Sequence, residues 1–222
     1  MEVTRKLWLP IIGCCGLLAI NSSPLIALES TKPNRTQIAA LEQGILVEMN
    51  RARANPVGYT RFLQTWRKRF QGKQARLSSR LFLQTKEGAP VVDEAIRAVK
   101  RAQPAPRLRL SAGISRAARD HVIYQGRRGL IGHRGRNGST PYQRISRHVR
   151  WLEPAGENNS YGPDTAVAVV RDLIVDDGVA DRSHRINMFR ADYKVTGIAC
   201  GYHKIHRVMC VINYAGGLIE KR

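Results

Sequence analysis

The spacing of apolar residues changes along this chain, and that change restricts its fold more than any other feature. From Gln37 to about Asn50, the residues Ile38, Leu41, Ile45 and Met49 recur at helical intervals and share one face. Asn55-Pro56 ends that helix, because the residue before a proline avoids helical backbone. Tyr59, Phe62, Leu63 and Trp66 predict a further helical stretch, and Val91 to Val99 a short helix. Ser111 is placed to cap a helix whose inner face carries Ile114, Ala117, Ala118 and Val122. Residues 67–80 read as an exposed basic loop and residues 126–142 as a glycine-rich one. Asp164 or Thr165 caps a helix bearing Val167, Val170 and Ile174, stopped by Gly178. Only near the end does the pattern become that of strands, over Val195–Cys200 and Val208–Tyr214, around a polar turn from Gly201 to Arg207. Helices first and strands gathered last predict an α+β fold, not alternating βαβ units.

The first residues read differently. A basic start ending at Arg5-Lys6 precedes a mostly apolar run from Leu7 to Ile20, then Asn21-Ser22-Ser23. That order is the order of a secretory signal peptide, cut near Ala27. The organisation expected is a leader over 1–27, a short polar link over 28–37 and one domain over 38–218, secreted or periplasmic. No later segment reaches about eighteen uninterrupted apolar residues, so no membrane span is expected in the mature chain. Cys14 and Cys15 leave with the leader. Cys200 and Cys210 remain, an even pair in an oxidising compartment. If the hairpin turn centres on Ile205, they face each other across it, within disulfide reach.

Lys and Arg number 37 against 17 Asp and Glu, a formal charge of +20. Such an excess attracts polyanions, so an anionic envelope polymer or lipid is the expected partner. No helix-turn-helix, zinc-finger spacing or aromatic RNA-binding signature accompanies the charge, so specific nucleic-acid recognition is not expected.

Three segments carry a resemblance. The first is Gly132-His133-Arg134-Gly135, continuing through Thr140-Pro141 to Arg144. The second is Gly156-Glu157-Asn158. The third runs from Leu173 to Phe189 and contains His184-Arg185-Ile186-Asn187. In this order, with Met49–Arg53 upstream and the strand Val195–Gly201 downstream, they resemble the bacterial type of the CAP superfamily, the cysteine-rich secretory, antigen 5 and pathogenesis-related-1 group. The resemblance covers about residues 40–217. It implies an α-β-α sandwich, a small antiparallel sheet between helices, and a cleft lined by two histidines and two acids. Several relatives hold a divalent metal there. By motif position the histidines are His133 and His184 and the first acid is Glu157. The second is Asp176, with Asp177 as a substitute, because the Trp-x-x-Glu of many eukaryotic relatives is replaced here by Leu173-Ile174-Val175-Asp176. Residues 56–106 are longer than in compact relatives.

Read as chemistry, His133 and His184 are candidate ligands for weakly bound Zn2+ or another divalent metal, since neutral imidazole binds such ions. Glu157, read as a loop residue, can orient an imidazole through its second nitrogen. Asp172, Asp176 and Asp177 crowd a helix C-terminus, against the dipole, as happens at functional sites. The plainer alternative is that Asp177 before Gly178 and Asp181 before Arg182-Ser183-His184 satisfy turn amides, and that His133 with Glu157 is an ordinary structural hydrogen bond. His121 reads as core-edge or exposed, and His148, His203 and His206 as solvated. No Gly-x-Ser-x-Gly elbow is present. Two functions remain: a non-enzymatic binding module with a cleft for a metal or small ligand, lipids included, or a metal-assisted hydrolase of peptides using Glu157 as base.

Overall fold

The computed structural model describes residues 32–220. The leader, its cleavage point, Cys14 and Cys15 lie outside them. Helix α1 (Arg35–Ala54) starts with a capping box: the Asn34 side chain accepts from the Gln37 amide and Gln37 answers to the Asn34 amide. Helix formation thus begins inside the segment read as a link. Asn55 ends α1 and caps α2 (Pro56–Arg67), where Pro56 takes the first-turn position that needs no N–H.

The segment 67–80, read as an exposed loop, instead supplies two strands, β1 (Phe70–Gln71) and β2 (Gln74–Arg76), of a small three-stranded antiparallel sheet completed by β3 (Phe82–Gln84). Its sequence hides this because only Ala75 is fully buried; Phe70 and Leu83 are half-buried against the core and the other strand residues are polar or exposed. Helix α3 (Ala89–Arg101) follows.

The main sheet runs β4 (Arg109–Leu110), β6 (Val195–His203), β7 (Arg207–Glu220), β5 (Val149–Tyr161), antiparallel except for the two-residue β4 edge. The remaining helices are α4 (Ala112–Arg128), α5 (Pro141–Ser146), α6 (Ala166–Val175) and α7 (Ser183–Phe189). As expected, Ser111 caps α4, and Thr165 rather than Asp164 caps α6.

Strand alternation builds three layers. On one face, Ile198, Cys200, Ile212 and Tyr214 pack against the helices α1, α2, α3, α6 and α7. On the other, Ala199, Met209 and Val211 meet Ala118 and Val122 of α4, while Val195 and Ala215 meet Ile114 and Ile145. The fold is therefore α+β, with helices on both faces of the sheet. The approach of α4 to β6 leaves no room at Gly197, where a Cβ would lie 2.2 Å from the Ile114 and Ser115 backbone. Cys200 and Cys210 pair in the β6–β7 register, Cα atoms 4.1 Å apart, and form the disulfide around a tip centred on Ile205.

Candidate functional site

The site lies where the two faces of the sandwich meet at β5, the edge strand. Glu157 is a strand residue there, not a loop residue as its neighbours suggested. Opposite Asn213 of β7, it sits on the α4 face. Its Oε1 lies 2.9 Å from Nδ1 of His133, and its Oε2 accepts from Arg144 Nη2 at 2.6 Å. The next residue points to the opposite face. Asn158 Nδ2 donates to the His184 carbonyl at 3.0 Å, and its Oδ1 accepts from Asn187 at 2.9 Å. Thus one dipeptide holds the His133 loop on one side of the sheet and the start of α7, with His184, on the other. Gly156 completes the motif because Tyr193 crosses over it: a Cβ there would lie 2.4 Å from the Tyr193 hydroxyl.

Arg144 is the site residue that spacing alone did not reveal. It follows the Thr140 capping box that starts α5, where Pro141 takes the first turn. Its Nη1 donates to the carbonyls of His133 and Ser139, at 3.0 and 2.8 Å, so one guanidinium fixes both the acid and the histidine loop. Burial opposes ionisation of Glu157, but the His133 hydrogen bond and the charge of Arg144 outweigh it and hold the carboxyl below its usual pKa.

His121 is neither core-edge nor exposed. It is fully buried, its Nε2 lies 2.9 Å from the Gly132 carbonyl, and burial lowers its pKa. Gln125 and Asn159 donate to the same carbonyl, so Gly132 is the anchor of the His133 loop. His203 is also buried, not solvated: Nε2 meets the Leu130 carbonyl and Nδ1 accepts from the amides of Ile205 and His206 at the hairpin tip. His148 is half-buried against Asp120, and His206 is exposed.

On the second side, α6 ends one residue before Asp176, which takes left-handed backbone (φ 61°, ψ 44°) in place of the stop expected at Gly178. Asp176 Oδ1 lies 2.7 Å from His184 Nδ1, and Oδ2 accepts from the amides of His184 and Arg185. Asp177 accepts instead from the amides of Lys86 and Glu87 and takes no part in the cleft. Asp177 and Asp181 therefore do serve backbone amides, Asp172 pairs with Arg171, and Asp176 both accepts from amides and orients His184.

The long segment after α2 has a structural consequence here. Glu87 and Glu94, before and on α3, clamp the arginines on either side of His184. Arg182 Nη2 reaches both carboxylates at 2.7 Å, and Arg185 Nη1 reaches Glu94 at 2.8 Å. The Arg182 hydrogen bonds hold both carboxyl pKa values down to about 2, from an ordinary 4.5. A depressed carboxylate adds stability above its unfolded pKa and loses it as pH falls toward the folded one. The stability of the protein is therefore expected to fall between about pH 4.5 and 2. Replacing Glu87 and Glu94 with Gln together should flatten that limb in acid titrations followed by circular dichroism. An unchanged slope would remove the clamp from the account.

The geometry brings His133 and His184 together, ring centroids 6.5 Å apart. The His133 side chain is 49% exposed and that of His184 19%, whereas the Glu157 and Asp176 side chains are 1% exposed. Solutes can reach the imidazoles; the carboxylates serve from behind. With each Nδ1 turned to a carboxylate, Nε2 is left to accept or ligate. The adjoining cleft, about 450 Å³, is bordered by Tyr142, Gly156, Asn187, Arg190 and Tyr193.

Residues 48–214 match the profile of CAP, the cysteine-rich secretory protein family. The chain belongs to the CAP family. Two solved structures are similar to this CAP domain. An outer surface protein from Borrelia burgdorferi is 16% identical, with TM-score 0.44, over 60% of this chain and 89% of that one. An extracellular protein containing an SCP domain from Bacillus anthracis is 15% identical, with TM-score 0.40, over 57% of this chain and 37% of that one. No curated protein matches.

Among the described residues, no three His, Cys, Asp or Glu side chains are grouped to hold a metal ion. The donor set of the CAP cleft is the two imidazoles. Their 6.5 Å separation is within about 1–2 Å of that needed by two rings sharing a tetrahedral zinc. A divalent ion here would be held by His133 and His184 alone among the described protein groups.

Proposed function

We propose that this CAP domain is a non-enzymatic extracellular binding module whose cleft captures a divalent cation or a small polar ligand between His133 and His184. The observation that carries the reading is the convergence of two reachable imidazoles, each oriented from behind by a buried carboxylate. Export is supported by the leader-like start of the sequence and by the buried Cys200–Cys210 disulfide, a bond that persists in oxidising compartments. Among the described residues no helix is long and apolar enough to cross a membrane. The cationic surface supports an anionic envelope polymer or lipid as partner.

Peptide hydrolysis has less support. A general base must be reachable and free to take a proton. Glu157 is buried, ion-paired to Arg144, and below its usual pKa. Two protein ligands also fall short of the usual three of catalytic zinc.

Thermal melts with zinc test the proposal. At about a hundredfold excess over Kd, zinc should stabilise by about 2.7 kcal/mol, on the order of 5–10 °C. His133→Ala and His184→Ala should each abolish most of the gain, and His121→Ala should keep it on a lower starting melt. A gain that survives both cleft variants would refute the metal reading. No heat of binding at neutral pH would leave the organic ligand alone.

A further inference from the structure

A second hollow, about 690 Å³, lies between α4 and α5 and is larger than the imidazole cleft. Its wall is arginine: Arg127 and Arg128 from the last turn of α4, Arg136 from the short turn before α5, Arg147 from the end of α5, with Arg144 among the lining residues. Among the described residues, Arg127, Arg128, Arg136 and Arg147 form no ion pair. Asp120, the lining carboxylate, is taken by His148 at 2.8 Å. Ile123 and Tyr124 supply apolar surface beside the charges. We propose that this hollow is a binding site for clustered phosphate groups.

Two buried atoms point to a ligand independently of the charge. The Ser139 hydroxyl and Arg144 Nε have no hydrogen-bond partner, although Ser139 is 4% and Arg144 1% exposed. Both residues line the hollow. They are neighbours, since Arg144 Nη1 donates to the Ser139 carbonyl at 2.8 Å. A buried polar atom without a partner costs about 1–3 kcal/mol, so such atoms need an explanation. Two donors without a protein partner, next to four guanidinium groups outside any ion pair, favour an oxyanion in the hollow.

Charge type and size select the anion. Guanidinium forks match phosphate oxygens two at a time. Four arginines outside any ion pair leave the hollow strongly cationic despite Asp120, although Arg128 also donates to the Tyr124 carbonyl and lies over its ring. The volume lies in the range of small-molecule sites, about 300–1,000 Å³, and exceeds what one inorganic phosphate fills. Several phosphate groups on one molecule, or neighbouring headgroups at a lipid surface, supply the same chemistry. The site does not rest on the imidazole cleft, because neither His133 nor His184 lines it.

The test compares equal losses of charge. Tripolyphosphate titrated into the full mature protein at fixed ionic strength should bind, and Arg136→Ser/Arg147→Ser should weaken it at least tenfold. Arg61→Ser/Arg101→Ser removes the same charge from exposed positions elsewhere and should change Kd less than about twofold, because exposed charges beyond a Debye length are screened. Ser139→Ala should leave the ligand-free melt unchanged or raised and weaken binding several-fold; it also serves if the double variant does not fold. Vesicles of phosphatidylcholine with phosphatidic acid form the second arm. Sedimentation with them, competed by tripolyphosphate, places a lipid headgroup in the site; tripolyphosphate binding without sedimentation places a soluble polyphosphate there. If the two double variants weaken binding equally, or Ser139→Ala binds like the wild type, the site is refuted and the affinity is general attraction to a basic surface.

Discussion

Replacing Arg144 with methionine is expected to destabilise the protein by about 3–5 kcal/mol, as removal of one partner from a buried ion pair generally does. The side chains of Arg144 and Glu157 are each 1% exposed, and their contact is 2.6 Å. Methionine fills much of the volume but leaves the carboxylate of Glu157 without its cation and the carbonyl of His133 without a donor, while the Ser139 carbonyl keeps only the Gly135 amide. In Arg144→Met/Glu157→Gln the charge is gone, and part of the loss should return, so the double-mutant cycle shows coupling. The cost of Arg144→Met should also shrink in acid. Without the arginine, Glu157 protonates more readily, and the wild type then gives up the stability that its depressed carboxyl supplies at neutral pH. Urea unfolding at two pH values measures all of this. A loss below about 1 kcal/mol for the single variant would mean that the site is held by other contacts.

Arg53→Met is expected to cost a similar amount, about 3–5 kcal/mol, for a different reason. Arg53 is fully buried, and burial pushes its pKa down. It is held by four carbonyls: Nε donates to Pro106, Nη1 to Met188 and Arg190, and Nη2 to Tyr193, at 2.8–3.2 Å. The residue gathers the end of α7, the turn into β6 and the segment before α4 around one planar group. Methionine would orphan all four acceptors. Lysine keeps the charge but not the fork and should recover less than half of the loss. The urea midpoint should fall with the slope unchanged. Amide exchange over 188–193 should rise more than over β7. An Arg53→Met midpoint close to the wild type would show that water replaces the guanidinium there.

Much of the fold was legible because its signals are local. The faces of α1 and α4, the Asn55-Pro56 break, the Ser111 cap and the β-branched runs of β6 and β7 each depend on a few neighbouring residues. The cysteine register followed from the hairpin's length alone. What failed was β5. Its sequence carries Pro154, Gly156, Asn158 and Asn159 and reads as loop, yet Glu157 to Ser160 are all buried. Polar side chains can be buried in a strand when partners satisfy them. Those partners, Arg144, His184, Asn187 and Gly132, come from loops and helices distant in sequence. His121 and His203 were misread for the same reason, since nothing nearby shows that a carbonyl waits for each ring.

The sequence by itself determined the main helices and the closing hairpin, the family, the paired cysteines and the candidate site residues His133, Glu157 and His184, with Asp176 or Asp177 beside them. Tertiary structure decided that Asp176 and not Asp177 meets His184, that Arg144 neutralises Glu157, and that α3 clamps both arginines beside His184. The division is physical. Helix caps, turns and hydrophobic period act over a few bonds and are written where they act. Pairing a buried charge is a matter of distance in space, so it exists only after the chain has brought remote residues within about 3 Å of one another.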